Sequence, residues 1–184
     1  FVLLAAAACK KEFIDLKPEG QFLTENYYAN EEQAYGGLIA VYDVLRKNSG
    51  GFENMITMMN SGSDDQIAGG GNETDGAGHQ GFSNYTLNQN TMPASFWNDH
   101  YQGIFRANIL LAKIPNTEMT ASVKERFVAE TKALRAYYYF NLDRMFKNVQ
   151  LLLEPLTATN MYDVTQAPVA EVYTQIEKEL TEKI

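Results

Sequence analysis

The stretch ETKALRAYYYFNLDRMF, residues 130–146, decides the fold class of this 184-residue chain. Its apolar side chains recur three or four positions apart, at Leu134, Tyr138 and Leu142, which is the spacing of one helix face. The run of aromatic residues inside it is more typical of packing between helices than of a ligand cage. The stretch therefore predicts a long amphipathic helix that ends near Phe146.

Helical spacing extends outward from this stretch to most of the chain. A first helix is predicted from Asn30, because Asn30 and Gln33 stand at the positions of a capping box. A second capping box, Ser122 with Glu125, is predicted to open the helix that contains residues 130–146. Pro93 and Pro168 suit the starts of two further helices. The other three apolar stripes comprise Ala34, Leu38, Val41, Tyr42 and Leu45; Trp97, Tyr101, Ile104, Phe105, Asn108, Leu111 and Ala112; and Val169, Val172, Tyr173, Ile176 and Leu180.

The predicted fold is mainly α, with stacked helical hairpins like those of tetratricopeptide repeats and with long irregular loops. Strict alternation of apolar and polar residues, the pattern of strands, is almost absent. The segment Met55–Met59 is predicted to form one or two helical turns. No repeat of identical residues is visible, so the hairpin prediction rests on helix spacing alone.

Composition excludes several classes of function. The net charge of −8 removes the electrostatic basis for binding nucleic acid. No apolar run approaches the ~18 residues of a membrane-spanning helix. A single cysteine forms neither an internal disulfide nor a Cys-rich zinc site.

The first nine residues, FVLLAAAAC, have the pattern of a lipoprotein signal peptide. Residues 1–8 are interpreted as its remnant, and Cys9 as the lipid-anchor residue that begins the mature domain, 9–184. Ala6 stands where a lipobox usually has Leu. A plain signal peptide with an incidental cysteine and a buried helix start are the alternatives.

Residues 61–92 are predicted to form a long irregular loop, because nine of the 13 glycines lie between Gly50 and Gly81. No Lys or Arg occurs between Lys47 and Arg106, and the 58 intervening residues carry six acidic side chains, a net charge of −6. Carboxylates and amides hydrogen-bond to neutral hydroxyls, and aromatic faces pack on C–H surfaces, which together is the chemistry of sugar recognition. The candidate ligand-binding residues are Asp64, Asp65, Phe82 and Tyr85. A flexible surface loop with no ligand is the equal alternative.

Motifs for catalysis, metals and cofactors are missing or out of context. The two histidines form no zinc motif, and no Gly-x-Ser-x-Gly nucleophile elbow occurs. The segment Gly76–Gly81 matches G-x-G-x-x-G, but polar residues precede it where a dinucleotide site needs an apolar strand. We therefore expect no enzyme, no cofactor and no metal, with acid–base catalysis by Asp64 and Asp65 as a minor alternative.

Six segments in order along the chain resemble the SusD/RagB family of surface nutrient-binding lipoproteins. The most specific is Leu134-Arg135-Ala136-Tyr137-Tyr138-Tyr139-Phe140 with Glu130 before it. The other five are Cys9 with Phe13-Ile14-Asp15-Leu16 and Pro18, Glu31-Glu32-Gln33-Ala34-Tyr35 leading to Val41-Tyr42, Ser63-Asp64-Asp65, Trp97-x-x-x-Tyr101-x-x-Ile104-x-Arg106-Ala107-Asn108, and Val172-Tyr173-x-x-Ile176-x-x-x-Leu180. The sequence departs from the family at Lys147 and Gln150, where Gly and Pro are usual.

The resemblance implies the N-terminal part of a longer helical protein with tetratricopeptide-like units. It also implies a lipid anchor at the outer-membrane surface of a Bacteroidetes-type bacterium, and a partnership with a TonB-dependent transporter that takes up oligosaccharides or, in some members, peptides. The family's glycan sites combine loops near the N-terminal region with the C-terminal part, so the Asp64–Tyr85 segment matches them only loosely. A helical-repeat scaffold that binds a partner protein is the competing function.

Overall fold

Six α-helices and two short 3-10 helices make up the regular structure of the computed structural model, which describes residues 27–48, 50–51, 53–72 and 74–182. The α-helices are α1 (Glu31–Tyr42), α2 (Met55–Ser61), α3 (Ala77–Ser83), α4 (Ala94–Lys113), α5 (Ala121–Phe146) and α6 (Val169–Thr181). The 3-10 helices are Asp43–Asn48 and Ile114–Asn116. The described residues contain isolated bridges but no strand, so the prediction of a mainly α fold is confirmed. Cys9 and the proposed boundary between residues 8 and 9 lie outside the described residues.

The start of α1 confirms the predicted capping residues. The Asn30 side-chain oxygen accepts a hydrogen bond from the backbone N–H of Gln33 at 3.1 Å, which satisfies one of the free donors of the first turn. The Gln33 side chain accepts from the N–H of Ala29 at 2.8 Å, one residue before the cap. The side chains of Asn30 and Gln33 therefore each accept a backbone hydrogen bond at the start of α1.

The start of α5 differs from the prediction. Thr120, with extended backbone angles of φ −68° and ψ 153°, is the N-cap residue, and its side chain makes no capping hydrogen bond. The helix therefore begins two residues earlier than a cap at Ser122 requires, and the predicted capping box of Ser122 and Glu125 is wrong. Lys124 instead donates to the carbonyl of Pro115 at 2.8 Å, which ties the first turn of α5 to the end of the preceding 3-10 helix.

Helix α5 is the centre of the packing. It lies against α1, α4 and α6, while α2 packs on α3. Tyr138 and Tyr139 are fully buried, and burial raises the pKa of both phenols. The Tyr138 hydroxyl donates to the carbonyl of Val41 in α1 at 2.6 Å, and the Tyr139 hydroxyl donates to the carbonyl of Leu152 at 2.7 Å. Two central tyrosines thus carry both core packing and links to neighbouring segments, as the aromatic run predicts.

Most of the predicted apolar stripe positions are in the core, including Leu38, Ile104 and Val172. Four are exposed: Tyr42 (41%), Phe105 (45%), Ala112 and Leu180 (61%). The buried faces of α1, α4 and α6 are therefore narrower than the sequence pattern predicts. Within the described ranges, no helix is both long and apolar enough to cross a membrane.

Candidate functional site

The acidic, glycine-rich segment between α2 and α4 is held in place at the start of α2. The Asn54 side chain is buried, accepts from the N–H of Thr57 at 3.0 Å and donates to the carbonyl of Gly51 at 2.7 Å. Because one amide caps the helix and binds the preceding turn, α2 has a fixed position relative to the chain that enters it.

Residues 77–83 correct the prediction that 61–92 is irregular throughout, because they form α3. The helix fits closely on α2: a Cβ atom on Gly78 would lie 2.7 Å from Met58 Cε. Behind it, His79 Nε2 lies 3.3 Å from the Thr57 hydroxyl oxygen. The glycine therefore serves close packing between two short helices.

A cleft of about 470 Å³ opens between α2, α3 and the glycine-rich loop at Gly69 and Gly70. Its lining includes side chains from both helices and the intervening loop: Thr57, Ser61, Gln66, Asp75 and His79. Asp75 accepts from the N–H of Gly71 at 2.8 Å, and Gln80 donates to the carbonyl of Gly69 at 2.7 Å, so the loop wall is internally hydrogen-bonded. Gln66, Asp75 and His79 were absent from the predicted site residues. The fold brings these three side chains together. The sequence signal that singles out the segment is its high glycine content.

Asp64 and Asp65 lie in the exposed turn beside this cleft. The N–H of Asp65 donates to the Ser63 hydroxyl oxygen at 3.2 Å, which shapes the turn. Within the part of the chain that the structure describes, neither carboxylate accepts a hydrogen bond or joins an ion pair. Both are therefore open to a ligand from solvent.

Tyr85 contacts the same turn through its side chain. Its hydroxyl donates to the carbonyl of Gly62 at 2.7 Å, while the residue as a whole is 81% exposed. Its φ of 55° lies in the left-handed region, which a bulky residue seldom adopts. The hydroxyl is thus fixed two residues before Asp64, with much of the ring exposed to solvent.

Phe82 has a different environment from the other three predicted residues. It is half-buried, and its ring centroid lies 6.2 Å from that of Phe96 in α4. Its side chain also reaches Gly62, where a Cβ atom would lie 3.7 Å from Phe82 Cδ1. Phe82 therefore packs against the turn at Gly62 with a half-buried ring, whereas Asp64, Asp65 and Tyr85 are exposed to solvent.

The geometry offers little to a metal or a phosphate. No three His, Cys, Asp or Glu side chains of the described ranges are grouped so that they could hold a metal ion. The G-x-G-x-x-G segment, residues 76–81, lies at the start of the seven-residue α3, and no strand precedes it in the described chain.

Comparison with known proteins defines the class. Residues 12–184 match the SusD-like family described as "Starch-binding associating with outer membrane". The chain belongs to this SusD-like family, as the six sequence segments indicate.

Individual relatives agree with this assignment. A solved structure named as a laminarin binding SusD-like protein is 59% identical, with a TM-score of 0.79 over 85% of this chain and 34% of its own. A surface glycan-binding protein A from Bacteroides uniformis is 29% identical, with a TM-score of 0.69 over 80% of this chain and 33% of its own. A SusD-like protein of Formosa agariphila is 25% identical over 85% of this chain and 31% of its own. The chain thus spans about a third of the length of these relatives.

Proposed function

We propose that the protein binds a neutral oligosaccharide without catalysing its conversion, and that the segment Asp64–Tyr85 forms part of the binding face. The observation that carries the proposal is the exposed turn at Gly62. There the carboxylates of Asp64 and Asp65 are without partners in the described chain, and the Tyr85 hydroxyl is held by the Gly62 carbonyl.

Hydroxyl groups of a sugar suit this turn because they both donate and accept hydrogen bonds. The two carboxylates accept from hydroxyls, and the Tyr85 ring offers an apolar face to the C–H side of a sugar ring. The segment itself offers no counter-charge to an anionic ligand, since no Lys or Arg occurs between Lys47 and Arg106. The cleft beside the turn adds two polar side chains, Gln66 and Asp75, that suit the same chemistry.

The complete site is proposed to include parts of the protein beyond this chain, which spans only about a third of its relatives. The laminarin-binding relative makes laminarin the first glycan to test, and the family description makes starch the second. A site shared between two parts of a protein binds weakly when one part is absent.

The proposed setting is the outer-membrane surface. The family description, which mentions association with the outer membrane, supports this location, and the signal-like sequence ending at Cys9 supports a lipid anchor there. A TonB-dependent transporter is the proposed partner, which would receive the captured glycan. This pairing rests on the family resemblance.

Affinity electrophoresis of the full-length protein in gels that contain laminarin, starch or a sulfated glycan tests the proposed ligand class. We expect retardation by at least one neutral glycan and no release of new reducing ends on incubation. Retardation by the sulfated glycan alone would contradict the charge argument, and release of reducing ends would contradict the non-catalytic role.

A further inference from the structure

A second groove, of about 470 Å³, lies between the chain that enters α4 and the end of α5. Its lining is apolar with two amides, and it includes Leu87, Asn88, Gln89, Met92, Trp97 and Phe146. No charged side chain takes part in this lining. The groove is therefore chemically distinct from the acidic turn at Asp64, although it begins only two residues after Tyr85.

Trp97 is held rigidly at this groove. Its ring is half-buried and lies 4.7 Å, between centroids, from the tilted ring of Tyr101 and 5.2 Å from the ring of Phe146, which it meets edge to face. Tyr101 is itself fixed, because its hydroxyl donates to the carbonyl of Gln150 at 2.9 Å. A rigid aromatic ring loses little conformational entropy when it binds a ligand.

The indole of Trp97 has a hydrogen-bond donor that the described chain leaves unused. Its Nε1–H makes no hydrogen bond to any described residue, and it is not one of the buried polar atoms that lack a partner, so it remains open to solvent. The Gln89 amide, also exposed, makes no hydrogen bond in the described chain. By contrast, Asn88 is occupied in its own turn, where its side-chain oxygen accepts from the N–H of Asn90 at 2.9 Å.

We infer that this groove is a second saccharide subsite, in which Trp97 packs against a sugar ring and its Nε1–H, with the Gln89 amide, hydrogen-bonds to sugar hydroxyls. The inference rests on the proposed function for the class of ligand. A pocket with an apolar body and a few open polar groups is typical of small-ligand sites, and the uncharged lining favours a neutral ligand over an ionic one.

Tryptophan fluorescence tests the inference directly, since Trp97 is the only tryptophan of the 184 residues. The emission of Trp97 is isolated as the difference between the wild-type protein and Trp97→Phe, so further tryptophans in a full-length protein cancel. We expect laminarin or starch to shift this difference spectrum in a saturable way. Calorimetry with the same two glycans is run in parallel.

Two variants measure the subsite's share of the affinity. Trp97→Phe keeps an aromatic ring against Tyr101 and Phe146. It is expected to weaken binding about tenfold, because it removes the indole Nε1–H donor and much of the aromatic face that would pack on the sugar. Gln89→Ala, at an exposed position with no structural hydrogen bond, is expected to weaken binding about threefold. Asn98→Ala, an exposed change on the same helix outside the groove, is the matched control and should bind as the wild type does.

The outcomes separate this inference from the proposed function. Calorimetric binding that leaves the Trp97 emission unchanged, with Gln89→Ala at wild-type affinity, overturns the second subsite alone. An absence of heat with both glycans overturns the subsite and the proposed function together. If Trp97→Phe lowers the melting temperature, the affinity of Gln89→Ala decides whether the groove is a subsite, because the Gln89 side chain does not contribute to the core.

Discussion

Arg135 and Glu179 form a buried ion pair that joins α5 to α6. Arg135 Nε lies 3.0 Å from Glu179 Oε1, and the two side chains are only 7% and 2% exposed. The same guanidinium donates to the Asn108 side-chain oxygen in α4 at 2.6 Å and to the carbonyl of Leu153 at 3.1 Å. One side chain therefore connects three helices and the segment between α5 and α6.

Glu179→Ala is expected to destabilise the fold by about 3–5 kcal/mol, since removal of one partner leaves a buried guanidinium without its counter-charge. Chemical denaturation monitored by circular dichroism measures the change. Arg126→Gln provides the control, because Arg126 pairs with Glu130 at 3.4 Å on the surface, where it is 58% exposed. Equal midpoints for wild type and Glu179→Ala would show that the pair is dispensable.

Gly103→Ala is expected to destabilise the crossing of α4 and α5 by about 1–3 kcal/mol, although alanine has the higher helix propensity. A Cβ atom at this position would lie 2.5 Å from Tyr138 Cε2, and the Tyr138 ring is itself fixed by its hydrogen bond to Val41. Thermal unfolding measures the effect, with Asn98→Ala on the exposed face of α4 as the control. A stabilising Gly103→Ala would mean that propensity outweighs the close approach.

The pH dependence of stability is expected to include a contribution from His100. Burial lowers the pKa of His100, and its Nδ1 lies 2.6 Å from the carbonyl of Phe96, to which it donates. Because the unfolded chain protonates this residue at a higher pH than the folded chain does, stability is full above about pH 6.5 and decreases as the pH falls towards the lowered pKa.

His100→Asn removes this titration while its Nδ2 group can replace the donor to Phe96. We compare the free energy of unfolding of the wild type with that of the variant. The difference, wild type minus variant, should decrease as the pH is lowered from about 7.5 to about 5, with a slope of at most about 1.4 kcal/mol per pH unit. Asp143, whose pKa burial raises, is present in both proteins and cancels in the difference. A difference independent of pH would contradict the buried neutral imidazole.

Cys9→Ser in the full-length precursor is expected to release the protein from the outer membrane, because lipidation requires the cysteine thiol. Membrane fractionation followed by immunoblotting measures the distribution. A single acyl chain binds a membrane only marginally, so stable retention of the wild type would also imply more than one chain. A Cys9→Ser protein that remains in the outer-membrane fraction would show that the anchor lies elsewhere.

The long helices could be predicted from the sequence because their signals are local. Asn30 and Gln33 set the start of α1, and the aromatic stripe continues to the end of α5 at Phe146. The short α3 was missed because its seven residues include two glycines, which disfavour a helix in isolation. Gly78 packs closely against Met58 of α2, and no local sequence pattern reports that approach.

The site was only partly predictable for the same reason. Charge and composition identified the acidic turn that contains Asp64 and Asp65, and the structure brings Tyr85 back to it through Gly62. The burial of Glu179 could not be predicted, since its partner Arg135 is 44 residues away in the chain. Trp97 appeared only as a member of an apolar stripe, and its open Nε1–H became visible only in the packed structure.

The most direct test of the central claim is calorimetry of the full-length protein with laminarin and starch, with Asp64, Asp65, Phe82 and Tyr85 each changed to alanine. We expect Asp64→Ala, Asp65→Ala and Tyr85→Ala to weaken binding about three- to tenfold each with little change in melting temperature, since these side chains are exposed. Phe82→Ala should lower the melting temperature as well, because its ring packs on Phe96. Wild-type affinity in all four variants would contradict the account and show that the glycan binds elsewhere.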